Sequence, residues 1–268
     1  MPAPTAPGGL VAVVLAAGEG RRLQPLTFER PKALCPLVGV PLLDHALEGV
    51  AAVTDQVGVN AWHRADQVLD RLERLDDEPG ALGRLAVHAS VEAGGAPLGT
   101  AGGIGAMRSW IDGRDVLVCN ADTWCPADLT AFVAGWDHER AATLLAGADA
   151  FGPRVRLAAT LLPWAIVHAL SDEPTGLYEV CLGPHHAAGR LVATRTDAPF
   201  HDCGTPARYL AANLSVAGVV GDGSVVGAGA RIGGSVVRSV VWPDAVVAPG
   251  EVLVDAVRTT RGRTVLVR

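Results

Sequence analysis

Leu10 to Ala16 reads LVAVVLA, and glycines follow almost at once at positions 18 and 20. A short apolar, β-branched run with no polar interruption suits a strand covered on both faces, which is the habit of parallel strands inside α/β sheets. The chain keeps alternating after it. Leu42 to Val53 predicts a helix after Pro41, Gln56 to Ala61 a second strand, and Arg64 to Leu75 a helix with Ala65, Val68, Leu69, Leu72 and Leu75 on one face. Arg84 to Ser90 predicts a third strand, Thr100 to Trp110 a glycine-rich helix, and Asp115 to Cys119 a fourth strand. Pro126 to Trp136 reads as a helix with Pro126 in its first turn, and Ala141 to Ala146 as a further strand. This order predicts a three-layer α/β/α domain with a mainly parallel sheet. From Phe151 to Phe200 the pattern supports only two or three strands and a helix over Pro163–Leu170. Thr205 to Leu214 reads as a helix capped by Thr205 with Pro206 at its first position.

The composition changes after Ala217. Val220-Gly221, Val226-Gly227 and Ile232-Gly233 recur every six residues, and Val241 and Val247 resume the spacing after a three-residue slip. An aliphatic residue followed by glycine at this period marks a hexapeptide β-helix, with one inward aliphatic per flat side. Some forty residues make only two or three coils. A Gly/Val-rich β-meander is the competing reading. The expected organisation is therefore a leader at 1–8, disordered in this reading, an α/β domain at 9–217, and a short left-handed β-helix with its tail at 218–268.

Charge and composition narrow the function. The chain of 268 residues has a formal charge of −6, which argues against a broad nucleic-acid footprint but leaves room for a small anionic ligand. The longest apolar stretch, Leu157 to Leu170, contains Pro163 and His168 and falls short of the roughly 20 residues that span a bilayer. No membrane partner is expected. Five scattered cysteines without a C-x-x-C pair fit a reduced, cytoplasmic protein. Nothing in the sequence excludes a homo-oligomer.

Among 22 basic residues only one is lysine, Lys32. Where arginine serves everywhere else, a lone lysine suggests a site that needs a compact point charge, although compositional drift would leave the same count. Its surroundings favour the first reading. Gly18 and Gly20 follow a strand, so the backbone can approach a ligand and aim N–H groups at phosphate. Arg22 and Lys32 add charge to the same loop. Neither standard glycine fingerprint applies: the third glycine of G-x-G-x-x-G is replaced by Leu23, and no G-K-[ST] exists.

The combination Leu15-Ala16-Ala17-Gly18-Glu19-Gly20-Arg21-Arg22-Leu23-Gln24-Pro25-Leu26-Thr27, then Pro31-Lys32-Ala33-Leu34-Cys35-Pro36, resembles the sugar-1-phosphate nucleotidyltransferases, particularly their mannose-1-phosphate guanylyltransferase-like branch. Leu98-Gly99-Thr100-Ala101-Gly102, Asn120-Ala121-Asp122 and Asp202-Cys203-Gly204-Thr205-Pro206 extend the match, and an appended β-helix also occurs in that branch. The resemblance implies transfer of a nucleoside monophosphate from an NTP to a sugar 1-phosphate, releasing pyrophosphate, with GTP and a mannose- or heptose-like sugar favoured. It implies phosphate contacts for Arg22 and Lys32, and nucleotide contacts for Leu15, Ala16, Ala17, Gly18, Gly20, Glu92, Gly99 and Thr100. It further implies Mg²⁺ on Asp122 and Asp202, and sugar contacts for Asn120 and Glu179. Two departures stand out. The stretch Ala93 to Pro97 is about two residues longer than the family pattern, and the family's sugar-binding Glu-Lys pair lacks its lysine. Read on their own, Asp122 and Asp202 also suit turn or helix-capping roles.

Other sets are weaker. Cys181, His185, His186, His201 and Cys203 match no usual zinc spacing. Trp62 and His63 suit a packed role as well as a substrate-facing one. The long β-helices of acyltransferases typically use a histidine base, and no histidine follows His201. A non-catalytic regulatory homologue of the same fold is the remaining alternative.

Overall fold

The computed structural model of this protein describes residues 9–267, so the expected leader at 1–8 lies outside the described residues. The chain forms two compact units, each assembled from separated segments. The first takes residues up to Glu19 together with Leu43–Phe200. The second takes Gly20–Leu42 together with the chain from His201 onward.

The first unit is built on a seven-stranded sheet. Its spatial order is Val192–Thr196, Ala142–Ala146, Leu157–Leu162, Asp115–Asn120, Leu10–Leu15, Gln56–Ala61 and Ala86–Val91. Leu157–Leu162 runs antiparallel to both neighbours, and the other strands are mutually parallel. The LVAVVL run is central, as its composition requires, and Val11 to Val14 have no exposed surface. Val11 and Val13 pack with Ile104, Met107, Ile111 and the Trp164–Leu170 region in one continuous core. Burying an aliphatic side chain of this size is worth about 1.5–3 kcal/mol, so the strand's position follows from its composition.

Three local expectations are corrected. The helix expected from Pro126 begins later, at Leu129, because the carboxylate of Asp128 accepts the Ala131 N–H at 2.9 Å and fixes the first turn there. The expected Thr100–Trp110 helix is two pieces, Gly99–Ala106 and Arg108–Ile111, separated at Met107. The segment 151–200 holds two strands, Leu157–Leu162 and Val192–Thr196, and its helical content comes in short pieces. These are Trp164–Val167, the π-helical turn Tyr178–Leu182, and Gly183–Ala187.

In the second unit the helix Pro206–Val216 carries Pro206 in its first turn, and its Thr205 cap accepts the Arg208 N–H at 3.3 Å. Parallel β-helix coils follow. Val225–Val226 pairs with Val240–Val241, which pairs with Ala256–Arg258. Arg231–Ile232 pairs with Val246–Val247, and Ser235–Val237 with Val252–Val254. Val226 is in register with Val241 and Ile232 with Val247, an advance of 241 − 226 = 15 residues, whereas Val236 pairs with Leu253 and Val240 with Val257, an advance of 253 − 236 = 17. The first of these is three short of eighteen and matches the slip between Ile232 and Val241 in the repeat. The strand Thr264–Leu266 then turns back antiparallel along Ala256–Arg258.

The inward aliphatics Val241, Val247 and Leu253 are 1–3% exposed, whereas Val226 and Ile232 are 48% and 40% exposed. The same side-chain position thus differs between coils because no coil stacks before the first. Val220, expected to start the repeat, is 89% exposed and outside any strand. It belongs to the connection between the helix and the first coil.

Candidate active site

In the first unit, Leu10–Leu15 lies between Asp115–Asn120 and Gln56–Ala61. From Leu10–Leu15 the chain passes to one side for Gln56–Ala61 and later to the other for Asp115–Asn120. The strand order therefore reverses at this point, and in open α/β sheets ligands bind in the crevice outside the carboxyl ends of the strands at such a reversal. Leu15 and Asn120 are paired in register, and the Ala121 N–H donates to the Leu15 carbonyl at 3.0 Å. The Ala16–Gly18 loop and the Ala121–Asp122 turn thus leave the sheet side by side. Asp122 is half-buried on that turn. A Cβ built on Gly18 would meet nothing within 4 Å, so the loop backbone there is open to a ligand.

Asn60 and Glu92 hold this loop from behind. The Ala16 N–H donates to Asn60 Oδ1 at 2.7 Å, and Asn60 Nδ2 donates to Glu92 Oε1 at 2.6 Å. Glu92 Oε2 accepts the Leu98 N–H at 2.7 Å. Both residues are buried. Glu92, expected at the base, has both oxygens engaged in joining the first glycine loop to the Leu98–Gly99 loop. Trp62 Nε1 donates to the Gly94 carbonyl at 3.1 Å, which ties down the extra length between Ala93 and Pro97. Asn60 was not among the residues singled out from the sequence. Its one available signal was an amide in the otherwise apolar second half of QVGVNA.

The glycines of the next helix serve close packing. Cβ atoms on Gly99, Gly102 and Gly105 would lie 2.5, 2.5 and 2.1 Å from the carbonyl oxygens of Thr175, Glu173 and Ser171. Positions three apart share a helix face, so this face lies directly on the 171–175 backbone. The Thr100 hydroxyl accepts the Leu177 N–H at 2.6 Å. Gly103 faces the other way, where a Cβ would be 2.6 Å from Asn60 Nδ2.

Asn120 borders an open cleft of about 300 Å³, lined also by His45, Glu48, Thr123, Trp124 and Cys125. Glu179 is exposed on the π-helical turn, with its carboxylate over Gly176.

The second unit holds the candidate cations Arg22 and Lys32 together with Asp202. Gly20 has φ +66, and a Cβ there would lie 2.8 Å from Thr27 Cγ2. Only glycine adopts that backbone at that spacing without strain. It starts the 3-10 turn Arg21–Leu23, and its carbonyl accepts the Thr27 hydroxyl at 3.1 Å. Lys32 opens a further 3-10 turn, Lys32–Leu34, and is buried. Its Nζ lies 3.8 Å from Asp202 Oδ1. Arg208 Nη1 pairs with the other oxygen of Asp202. The Arg22 guanidinium reaches the same segment, since a Cβ on Gly204 would be 3.2 Å from Arg22 Nη2 and 2.7 Å from Asp202 Oδ1. Arg22, Lys32 and Asp202, drawn from positions some 180 residues apart, therefore converge.

Among the described residues no three His, Cys, Asp or Glu side chains are grouped to hold a metal. Magnesium requires less, since it commonly takes one or two carboxylates and completes its shell with phosphate oxygens and water. Asp122 and Asp202 are hard oxygen donors of that kind, one in each unit.

A family model described as nucleotidyl transferase matches residues 11–150. The chain is 38% identical over 136 residues to an N-acetylmuramate alpha-1-phosphate uridylyltransferase of Caulobacter vibrioides, covering 48% of this chain and 54% of the relative. It is 34% identical over 118 residues to a mannose-1-phosphate guanylyltransferase of Mycobacterium tuberculosis, covering 44% and 31%. The match thus spans about half or less of these relatives' own lengths. In fold it resembles a putative glucose-1-phosphate thymidylyltransferase of Bacillus anthracis, with a TM-score of 0.64 at 17% identity, over 80% of this chain and 98% of that one. With the glycine loop at the strand reversal and the Arg22–Lys32–Asp202 cluster, the family match places this chain in the sugar-1-phosphate nucleotidyltransferase superfamily.

Proposed function

We propose that this protein transfers a nucleoside monophosphate from an NTP to a sugar 1-phosphate. A phosphate oxygen of the sugar phosphate attacks the α-phosphorus in line. The new P–O bond forms as the bond to the β-phosphate oxygen breaks, and pyrophosphate departs with the electron pair. The nucleophile is already ionised, so catalysis rests on positioning and charge neutralisation, with little acid–base work. The carrying observation is the Lys32–Asp202 pair with Arg22 beside it.

In this reading Arg22 holds the β- and γ-phosphates and neutralises the leaving pyrophosphate. Lys32 exchanges its contact with Asp202 for the α-phosphate or the sugar phosphate, where a buried ammonium acts as a point charge between two anions. Residues 15–18 and Gly20 offer backbone to the nucleotide, Gly99 and Thr100 line its base, and Asn120 and Glu179 serve the sugar. Magnesium bound by Asp122 and Asp202 would neutralise phosphate charge. GTP with a mannose- or heptose-like sugar phosphate is the favoured pair, supported by likeness to the mycobacterial guanylyltransferase. The cytoplasm, where NTPs are abundant, is the expected location, and among the described residues no helix is long and apolar enough to cross a membrane.

A non-catalytic homologue would be free to lose any of Arg22, Lys32, Asp122 and Asp202, and all four are present. A pyrophosphate-release screen of five NTPs against a panel of sugar 1-phosphates tests the assignment. Turnover with one pair is expected, and silence across the panel with folded protein would favour the regulatory reading.

A further inference from the structure

Lys32 sits in a loop whose packing partners come from the far end of the chain. Three residues before it, Glu29 is only 8% exposed. Its carboxylate accepts the Thr259 hydroxyl and the Arg261 N–H, the latter at 3.3 Å, and Arg263 Nε lies 3.9 Å away. Arg30 stacks over the Trp242 ring at 4.5 Å and donates to the Thr260 hydroxyl at 3.3 Å.

The receiving turn is itself tightly built. Thr259 N–H donates to the Arg263 carbonyl at 2.9 Å, and the Arg263 N–H returns to the Thr259 hydroxyl at 3.0 Å. Gly262 takes φ +81 between them. On the other side of Lys32, the Tyr209 hydroxyl donates to the Pro36 carbonyl and accepts Trp242 Nε1 at 2.9 Å. The segment carrying Lys32 is thus held at both ends by the β-helix and the helix that precedes it.

A buried carboxylate spending both oxygens on a distant turn is costly unless those bonds are kept, so the contact is specific. We propose that Glu29 is a positioning residue. Through Thr259 and the 259–263 turn, the β-helix fixes the place of the Lys32 amine, which makes the appended coils part of the catalytic apparatus. This rests on the role proposed for Lys32 above.

The test uses the full chain and exploits its single lysine. The variants are Glu29→Gln and Thr259→Val, which remove the charge or the hydroxyl, and Thr259→Ser, which retains the hydroxyl. Three quantities are measured on each: cooperative thermal unfolding, steady-state pyrophosphate release, and the rate of reductive methylation of Lys32 resolved by peptide mass spectrometry. Misplacing a charged group by a fraction of an ångström should lower kcat about tenfold with KM for the NTP within about twofold, and raise the Lys32 labelling rate several-fold. Thr259→Ser should behave as the parent in both respects.

A fall in kcat with unchanged Lys32 labelling in a cooperatively folded variant would overturn the proposal, as would faster labelling with unchanged kcat. Should Glu29→Gln fail to fold, Arg30→Gln, which removes the contacts to Trp242 and Thr260, carries the same two readouts. Full activity in Lys32→Ala would instead defeat the reaction reading, while the labelling rates would still judge whether the turn places the amine.

Discussion

The two units differ in the kind of groups they hold. The first unit holds the open loop at Gly18, the buried Asn60–Glu92 bridge behind it, a glycine-faced helix lying on residues 171–175, and the single carboxylate of Asp122 on the turn beside the loop. The second supplies charge on side chains, with Arg22, Lys32 and Arg208 around Asp202. In the proposed reaction the first unit, Asp122 apart, would act through shape held by hydrogen bonds, so a lost contact there should loosen binding. In the same reading the second unit would act through a few point charges, and a lost charge should slow chemistry.

Lys32→Ala tests that division most strongly. It should cut kcat by about 10²–10³ while the protein stays folded, because a charge aimed at a developing anion acts mainly in the transition state. Near-normal pyrophosphate release would remove the distinction. Asp122→Ala should have a comparable effect, accompanied by a higher magnesium requirement in a titration of rate against the metal.

Asn60→Ala should act differently. It strands the Glu92 carboxylate and the Ala16 N–H, costing about 1–3 kcal/mol. The loss should appear chiefly as a raised KM for the NTP, and a pure kcat effect would contradict the shape-held account.

The β-helix provides a comparison within the second unit. Leu253→Ala should destabilise by about 2–4 kcal/mol, and Val226→Ala, half-exposed on the open first coil, by less than about 1 kcal/mol, both read by denaturant unfolding. The smallest expected effect is chemical. Burial pushes the Cys35 and Cys119 thiols up to about 12, so at pH 8 only about one in ten thousand is thiolate. Peptide mass spectrometry should find both unlabelled by iodoacetamide until the protein unfolds. Labelling should rise with pH only as it approaches 12.

Most of the sheet was legible because its strands are apolar enough to demand burial. Gln56–Ala61 and Leu10–Leu15 needed no other information. The segment 151–200 was not legible, because much of what it does is backbone packing against Gly99, Gly102 and Gly105, and a carbonyl leaves no mark on its own side chain. For the same reason those glycines show in the sequence only as part of a glycine-rich helix. The charged cluster was legible through the loop motif and the solitary lysine. Glu92 was noticed, but its occupation was not, since a buried carboxylate bound to an amide and an N–H looks in sequence like any acid beside a loop. The π-helical turn carrying Glu179 had no periodic signal to announce it.

The lysine loop also has a history in time. Pro36 and Glu29 are bonded to residues 173 and 230 positions further along. At about 5–20 residues per second, a ribosome leaves Glu29 without its partner for roughly ten to fifty seconds. Throughout that interval the bonds from Glu29 to the 259–263 turn cannot form, so the segment around Lys32 reaches its final packing only after that turn has been made.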